Sequence, residues 1–407
     1  MHASIILESS AWILAATGIV LVVWYLVKSL RADWPKTRVL AAAFALLAAA
    51  SGAWWLANAS WPVHFALPPM MQAMAPHPTT PAIPIPTALR YLLKPARFER
   101  VAVIGRDPND VPPPIERTQP DEVAIEVTAR EVIGETAEGV YFNYWTYDGT
   151  VPGPMYRVRV GDSVTVTLRN DPSSLHAHNI DLHAVTGPGG GAAVTNVNPG
   201  ESKSFRWKAL QPGLYVYHCA QPNVSTHNAH GQYGLILVEP EGGLPKVDKE
   251  FYVMQGELYT KGGLGRKGLN VFDPDRMLAG DPTYVTFNGM VERAPRMKAN
   301  VGERVRMYVG NGGVGLVSSF HVIGEIFDAV YPEAAIGSEP HKNIQTTLVP
   351  AGGASIVEFT LDVPGKYTLV DHALARMNEG AWAVLDVAGD PNPDVFKALS
   401  EDDTMNK

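Results

Sequence analysis

Two stretches of this chain recur, in pattern more than in letter, further along it. "VGDSVTVTLRN" (160–170) returns as "VGERVRMYVGN" (301–311), and "PGESKSFRWKALQPGLYVYHC" (199–219) returns loosely as "AGGASIVEFTLDVPGKYTLVDH" (351–372). The offset, roughly 140 to 150 residues, is far above solenoid periods and marks two tandem domains of one fold. Within the first copy Val158, Val160, Val164, Val166 and Leu168 alternate with polar residues, the period of a half-buried strand. Short alternating strands punctuated by Gly and Pro predict an all-β chain built of Greek-key β-sandwiches. At 407 residues there is room for two of them and more.

The first sixty residues have another texture. Residues 5–27 hold one charge, Glu8, and residues 39–59 hold none; each is long enough to span a bilayer. Between them Lys28, Arg31, Lys36 and Arg38 crowd a short loop, which the positive-inside rule assigns to the cytoplasm. Both ends of this transmembrane hairpin then face outward, with Trp24, Tyr25, Trp54 and Trp55 as interfacial anchors. A cleaved signal peptide is the alternative for the first segment, and the second apolar segment and the absence of a small-residue cleavage site argue against it. The organisation expected is a two-helix anchor over 1–60 and a proline-rich connector over 61–120, with a short helix near 87–98. A first sandwich over 121–245, a second over 246–390 and a tail over 391–407 complete the chain. "EPEGGLPKVDKE" (239–250) is the expected hinge between the sandwiches.

A net charge of −8 gives no basis for nucleic-acid binding. The one cysteine, Cys219, excludes an intrachain disulfide framework and iron–sulfur clusters, which need several thiolates. A lone cysteine is most often an inert core thiol. The surroundings of Cys219 point elsewhere. "YVYHCAQPNVSTHNAHGQYG" (215–234) places His218, His227, His230 and Gln232 around it, and "HAHNIDLH" (176–183) offers further imidazoles. A thiolate with two imidazoles and a weak axial donor is the electron-transfer copper arrangement. Neighbouring side chains on a strand point to opposite faces. A ligating Cys219 therefore turns His218 outward, and His178 and His183, five apart, divide in the same way. The result is one inner set (His178, Cys219, His227) and one outer pair (His183, His218), the latter needing a third ligand from another surface.

The segments "HNIDLHAVTG", "YVYHCA", "YGLILVEPEGGLP", "SSFHVIGEIFDAVY", "NIQTTLVPAGGASIVEF" and "YTLVDHALAR", in this order, resemble the copper nitrite reductases, most of all the branch with the shorter copper loop. The likeness runs from about 120 to 390. It implies two tandem cupredoxin-like domains in a homotrimer that reduces nitrite to nitric oxide in denitrification. It further implies type 1 copper on His178, Cys219 and His227, with the axial position falling on Gln232 where the family usually has methionine. Type 2 copper falls on His183 and His218, with His372 donated by the adjacent subunit. Asp181 and His321 correspond to the acid–base pair, Ile323 to the side chain that shapes nitrite binding, and Thr347 to a residue orienting His321. His176 and His230 have no matched role; His64, His77 and His341 fit no ligand pattern.

Two copper ions per subunit are thus expected, in an enzyme held in the bacterial inner membrane with its catalytic domains in the periplasm. Quinol, or a membrane or periplasmic carrier, is the expected electron donor. Two other classes remain to be separated from this one. A membrane-bound cupredoxin that only shuttles electrons accounts for His178, Cys219 and His227 but leaves His183, Asp181, His218, His321 and His372 idle. A multicopper oxidase needs several His-x-His pairs and a histidine on both sides of the cysteine, whereas Ala220 follows Cys219.

Overall fold

The computed structural model describes residues 2–29, 36–59, 98–291, 296–397 and 399. The expected helix near 87–98, nearly all of the connector before residue 98, His64, His77, Arg31 and the last residues of the tail lie outside the described residues. Two compact units result, one up to Pro68 and one from Pro69 onward.

The first unit is a helical hairpin of α1 (His2–Ser29) and α2 (Lys36–Ala59). Its seam is made of small residues. Ala11, Ala43 and Ala50 are buried, and a Cβ on Gly18 would meet Leu47 at 3.1 Å. The large apolar side chains Trp12, Ile13, Ile19, Val20, Phe44, Trp54 and Trp55 are exposed instead. Over Val39–Leu56 the mean hydropathy is 1.9 and only 11% of the stretch is buried. In α1 the apolar described stretch is the shorter Ser10–Tyr25. The hydroxyls of Thr17 and Ser51 donate back to the carbonyls of Ile13 and Leu47, which satisfies them within their own helices.

The second unit is mainly β. Strands β1 (Glu99–Val101), β2 (Glu122–Ala137), β3 (Val140–Tyr147), β4 (Tyr156–Arg159), β5 (Ser163–Asn170), β6 (Asp181–Leu182), β7 (Ser202–Lys208), β8 (Gly213–His218) and β9 (Tyr233–Glu239) make the first sandwich. One of its sheets runs β3-β2-β5-β7, the other β4-β9-β8-β6. The second sandwich uses β10 (Lys249–Leu258), β12 (Tyr284–Phe287), β13 (Met297–Asn300), β14 (Arg304–Asn311), β15 (Ser318–Ile323), β16 (Ala329–Tyr331), β17 (Thr346–Val349), β18 (Ala354–Thr360), β19 (Gly365–Asp371) and β20 (Trp382–Ala388), and β11 (Gly268–Asn270) lies between β10 and β12 in the chain. Its sheets run β12-β10-β14-β18-β16 and β13-β20-β19-β15-β17. The internal repeat is therefore topological as well. The parallel pair β2/β5 followed by antiparallel β7 recurs as β10/β14 followed by β18. The run β4-β9-β8-β6 recurs as β13-β20-β19-β15.

The alternation read from 156–171 decides which face is inside. Val158, Val164, Val166 and Leu168 are fully buried against Ile180, Leu182, Tyr217 and Cys219, whereas Val160 is partly buried. Two features tie the sandwiches together. Strand β11, from beyond residue 246, joins the first sandwich by pairing in parallel with β3. Arg157 on β4 is ion-paired to both Glu239 and Glu250 (2.7 Å to the latter), and Arg306 on β14 reaches Glu250 at 2.9 Å and Glu358 at 2.6 Å. The two ends of the 239–250 segment are thus pinned by one guanidinium. A buried network of this kind is costly to break on one side only, because a charge is then left without a partner.

Candidate metal centres

His178, Cys219, His227 and Gln232 are all fully buried in the first sandwich. One ligand atom from each of the first three lies within 4.8 Å of the others. Cys219 Sγ stands 3.3 Å from His227 Nδ1, which is 3.2 Å from Gln232 Oε1. The six-residue helix α3 (Val224–Ala229) folds the loop so that His227 returns to Cys219. The Cys219 backbone N–H donates to the Gln232 carbonyl, holding the two ends of the loop together at 3.1 Å. Asn179 fixes the sulfur: its backbone N–H approaches Sγ at 3.5 Å, and its Oδ1 accepts from the Ala220 N–H at 2.7 Å.

Whether these residues fit a metal can be judged from their unmet needs. Both ring nitrogens of His178 are buried without a hydrogen-bond partner, a costly arrangement in an apolar interior that a metal on one of them would relieve. Burial, reinforced by His178, lowers the pKa of His227 well below its ordinary value, and burial lowers that of His178 against the pull of Glu131. Both rings are therefore neutral, the form that binds metal. Burial pushes the Cys219 thiol up to about 12, so the protein alone keeps it protonated and a bound cation is what would make it a thiolate. The donor set fits copper.

The outer group lies on the reverse face of the same strands. Asp181 on β6 pairs in register with His218 on β8; residues directly opposite share a face, and His183 rejoins that face two residues on. Ligand atoms of Asp181, His183 and His218 lie within 4.8 Å of one another, with His183 Nε2 and His218 Nε2 3.1 Å apart. The His218 Nδ1–H donates to the Cys219 carbonyl at 3.0 Å, which directs Nε2 outward. Desolvation, then the facing His218, lowers the pKa of His183. Asp181 is seated by Gly190: a Cβ there would stand 1.9 Å from Asp181 Oδ1, and φ of Gly190 is +53°. Glycine is required at this position both for conformation and for room.

His372, at the end of β19, does not join this group in the same chain; among the described residues the cluster holds only Asp181, His183 and His218. It is exposed and its ring lies 5.4 Å from that of His321 on β15. Ile323, two residues along from His321, is 45% exposed and shares its face. Thr347 differs from expectation. It pairs in register with Phe320, whereas His321 pairs with Thr346, so Thr347 is buried on the core side. His321 is instead oriented by the Gln345 carbonyl, which accepts from Nδ1 at 2.6 Å. His341 is exposed.

Three residues around the two clusters were not anticipated. Glu131 and Trp145 are buried on β2 and β3, and Gly190 sits in a glycine-rich turn. His176 and His230, without a matched role in the sequence, both lie against the Trp145 indole, at 4.3 and 4.2 Å between ring centroids. Trp145 in turn meets His227 edge-on at 4.6 Å. No local pattern singles out Glu131 or Trp145; only the pairing of β2 with β3 brings them to the site.

Fold and donor set together define a two-sandwich cupredoxin of the copper oxidoreductase class. A multicopper oxidase family model matches residues 128–243. The copper-containing nitrite reductase of Neisseria meningitidis is 55% identical over 291 residues, covering 70% of this chain and 75% of that protein. That of Alcaligenes faecalis is 32% identical, covering 68% and 78%. Among solved structures, the copper nitrite reductase of Nitrosomonas europaea aligns with a TM-score of 0.60 at 33% identity, over 67% of this chain and 96% of its own. The chain belongs to the copper-containing nitrite reductases.

Proposed function

We propose that this protein is a membrane-anchored homotrimer that converts nitrite, one electron and two protons into nitric oxide and water, using two copper sites per subunit. The observation that carries the reading is the adjacency of His218 and Cys219: consecutive residues belong to two different ligand clusters, so a single peptide link connects them. His178, Cys219, His227 and Gln232 would hold type 1 copper; His183 and His218, with the partner subunit's His372, would hold type 2 copper. Bound there, copper supplies one-electron redox chemistry at the first site and Lewis acidity towards an oxyanion at the second.

The protein's own groups do the rest. Asp181 shares the face of His183 and His218, where its carboxyl can hydrogen-bond nitrite and pass a proton to the departing oxygen. His321 supplies the second proton, its ring held by the Gln345 carbonyl. Because His321, Ile323 and His372 are presented together on the second sandwich, the surface that completes the ligand set also brings the acid and the apolar wall. The sandwiches correspond to domains over 121–245 and 246–390, and residues 1–60 anchor them to the inner membrane with the catalytic unit in the periplasm. Exposed apolar side chains on both helices support that anchoring. Quinol, directly or through a membrane or periplasmic carrier, supplies the electron.

The test is nitric oxide release, measured with an electrode under anaerobic conditions, from copper-loaded, detergent-solubilised full-length protein given nitrite and a reduced artificial donor. Nitrite-dependent release from protein with two coppers per subunit is expected. One copper per subunit and no release would leave an electron shuttle. Driving the same assay with quinol, on protein with and without residues 1–60, tests the donor: unchanged quinol-driven activity after truncation defeats direct quinol use at the hairpin.

Gln232 gives a further expectation. An amide oxygen is a harder donor than a thioether and favours the oxidised ion. Gln232→Met should therefore raise the type 1 midpoint potential, and potentiometry finding no upward shift would remove Gln232 from the ligand set.

A further inference from the structure

Glu131 is a carboxylate buried to 2% exposure on β2, far in sequence from every ligand. Its Oε1 accepts from the backbone N–H groups of Leu175 and His176, both at 2.7 Å, and lies 3.1 Å from His176 Nδ1. The same oxygen stands 3.6 Å from His178 Nε2, and Oε2 is buried without a partner. Two backbone N–H donors converging on one buried oxygen favour the charged form of a carboxylate. A buried, ionised carboxylate therefore faces the rear of one ring of the inner cluster, and the reaction as described makes no use of it.

We propose that Glu131 is a positioning residue for the inner copper site: it holds His178 as the tautomer with its proton on Nε2, so that Nδ1 is left as the metal donor, and it strengthens that donor. Two independent observations converge on this. Neither ring nitrogen of His178 has a hydrogen-bond partner, and Nε2 is the one that faces Glu131, at 3.6 Å, which leaves Nδ1 for a metal. The carboxylate is also fastened from the other side by two backbone N–H groups of 175–176, two and three residues before His178, so it cannot swing away without moving the segment that carries the ligand. A carboxylate behind a ligating imidazole raises its basicity and fixes its orientation, and a stronger donor favours the oxidised ion. The effect has the same sign as that of the Gln232 amide. The inference rests on His178 being a copper ligand.

The experiment uses full-length, copper-loaded protein in detergent and reads the thiolate-to-copper absorption band, the type 1 midpoint potential and the type 2 electron paramagnetic resonance signal. The wild-type band comes first: a copper-replete protein without it refutes the ligand assignment itself and not merely the role of Glu131. Glu131→Gln keeps an oxygen for the backbone N–H groups but removes the charge. It is expected to move the type 1 oxidised-to-reduced ratio about tenfold towards the reduced ion at a fixed solution potential, which is about 59 mV for one electron, with a shifted band and an unchanged type 2 signal. If Glu131→Gln fails to fold, Glu131→Asp keeps the charge but draws it back from His178, and a smaller shift of the same sign is expected. A purely structural Glu131 would lower thermal stability and leave band and potential alone. A ratio within twofold of wild type in the folded, copper-replete variant overturns the proposal.

Discussion

Asp181→Asn is expected to lower kcat for nitrite reduction by about 10²–10⁴-fold, the range for loss of a positioned acid–base group, while both copper signals persist. The substitution is nearly isosteric, and the asparagine amide can still donate a hydrogen bond to nitrite. It cannot deliver a proton, so the loss should fall on kcat more than on KM. The geometry offers a second route to the same effect without touching the acid. The carboxylate rests against Gly190, where a methyl would stand 1.9 Å from Oδ1. Gly190→Ala should therefore displace Asp181 and slow turnover in the same direction, with intact type 1 absorption showing that the sandwich has folded. Activity within threefold of wild type in copper-replete Asp181→Asn would take the proton role from this residue.

The inner and outer clusters were legible in the sequence because strands impose a period of two. His218 and Cys219 had to face opposite ways, and Asp181 and His183 the same way; the pairing of β6 with β8 places them so. The repeat at 160–170 and 301–311 was likewise legible, since buried alternation is a local property. What could not be read comes from contacts between distant strands. Glu131 reaches His176 across 45 residues of sequence, and nothing in "TAREVIG" distinguishes it from a solvated strand glutamate. Thr347 was misplaced for a related reason. Its role depends on register, and pairing it with Phe320 rather than with His321 sends its side chain to the core. The 239–250 segment reads as a loose connector from its glycines and prolines, yet Arg157 clasps both of its ends.

The position of His372 leads to the second large effect. His218→Ala and His372→Ala, each made as a pure homotrimer, should both be inactive, because each removes a ligand from every outer site. Co-expressed in one cell, the two are expected to restore nitrite reduction. If a site takes His183 and His218 from one subunit and His372 from the next around a three-fold ring, random mixing in equal amounts gives both intact donors to about one site in four. Mixed trimers, isolated through different tags on the two variants, exclude the inactive homotrimers and hold one intact site in each ring, so they should show roughly a third of wild-type activity and a matching fraction of type 2 signal, with type 1 absorption at full strength. A site built within one chain gives the opposite result, since every subunit would lack one ligand whatever its neighbours carry. In the chain itself His372 stays with His321 and does not join His183 and His218, which is why complementation is expected. Mixed trimers that remain inactive, with type 2 signal absent, would place all three ligands in one subunit and remove the need for the trimer.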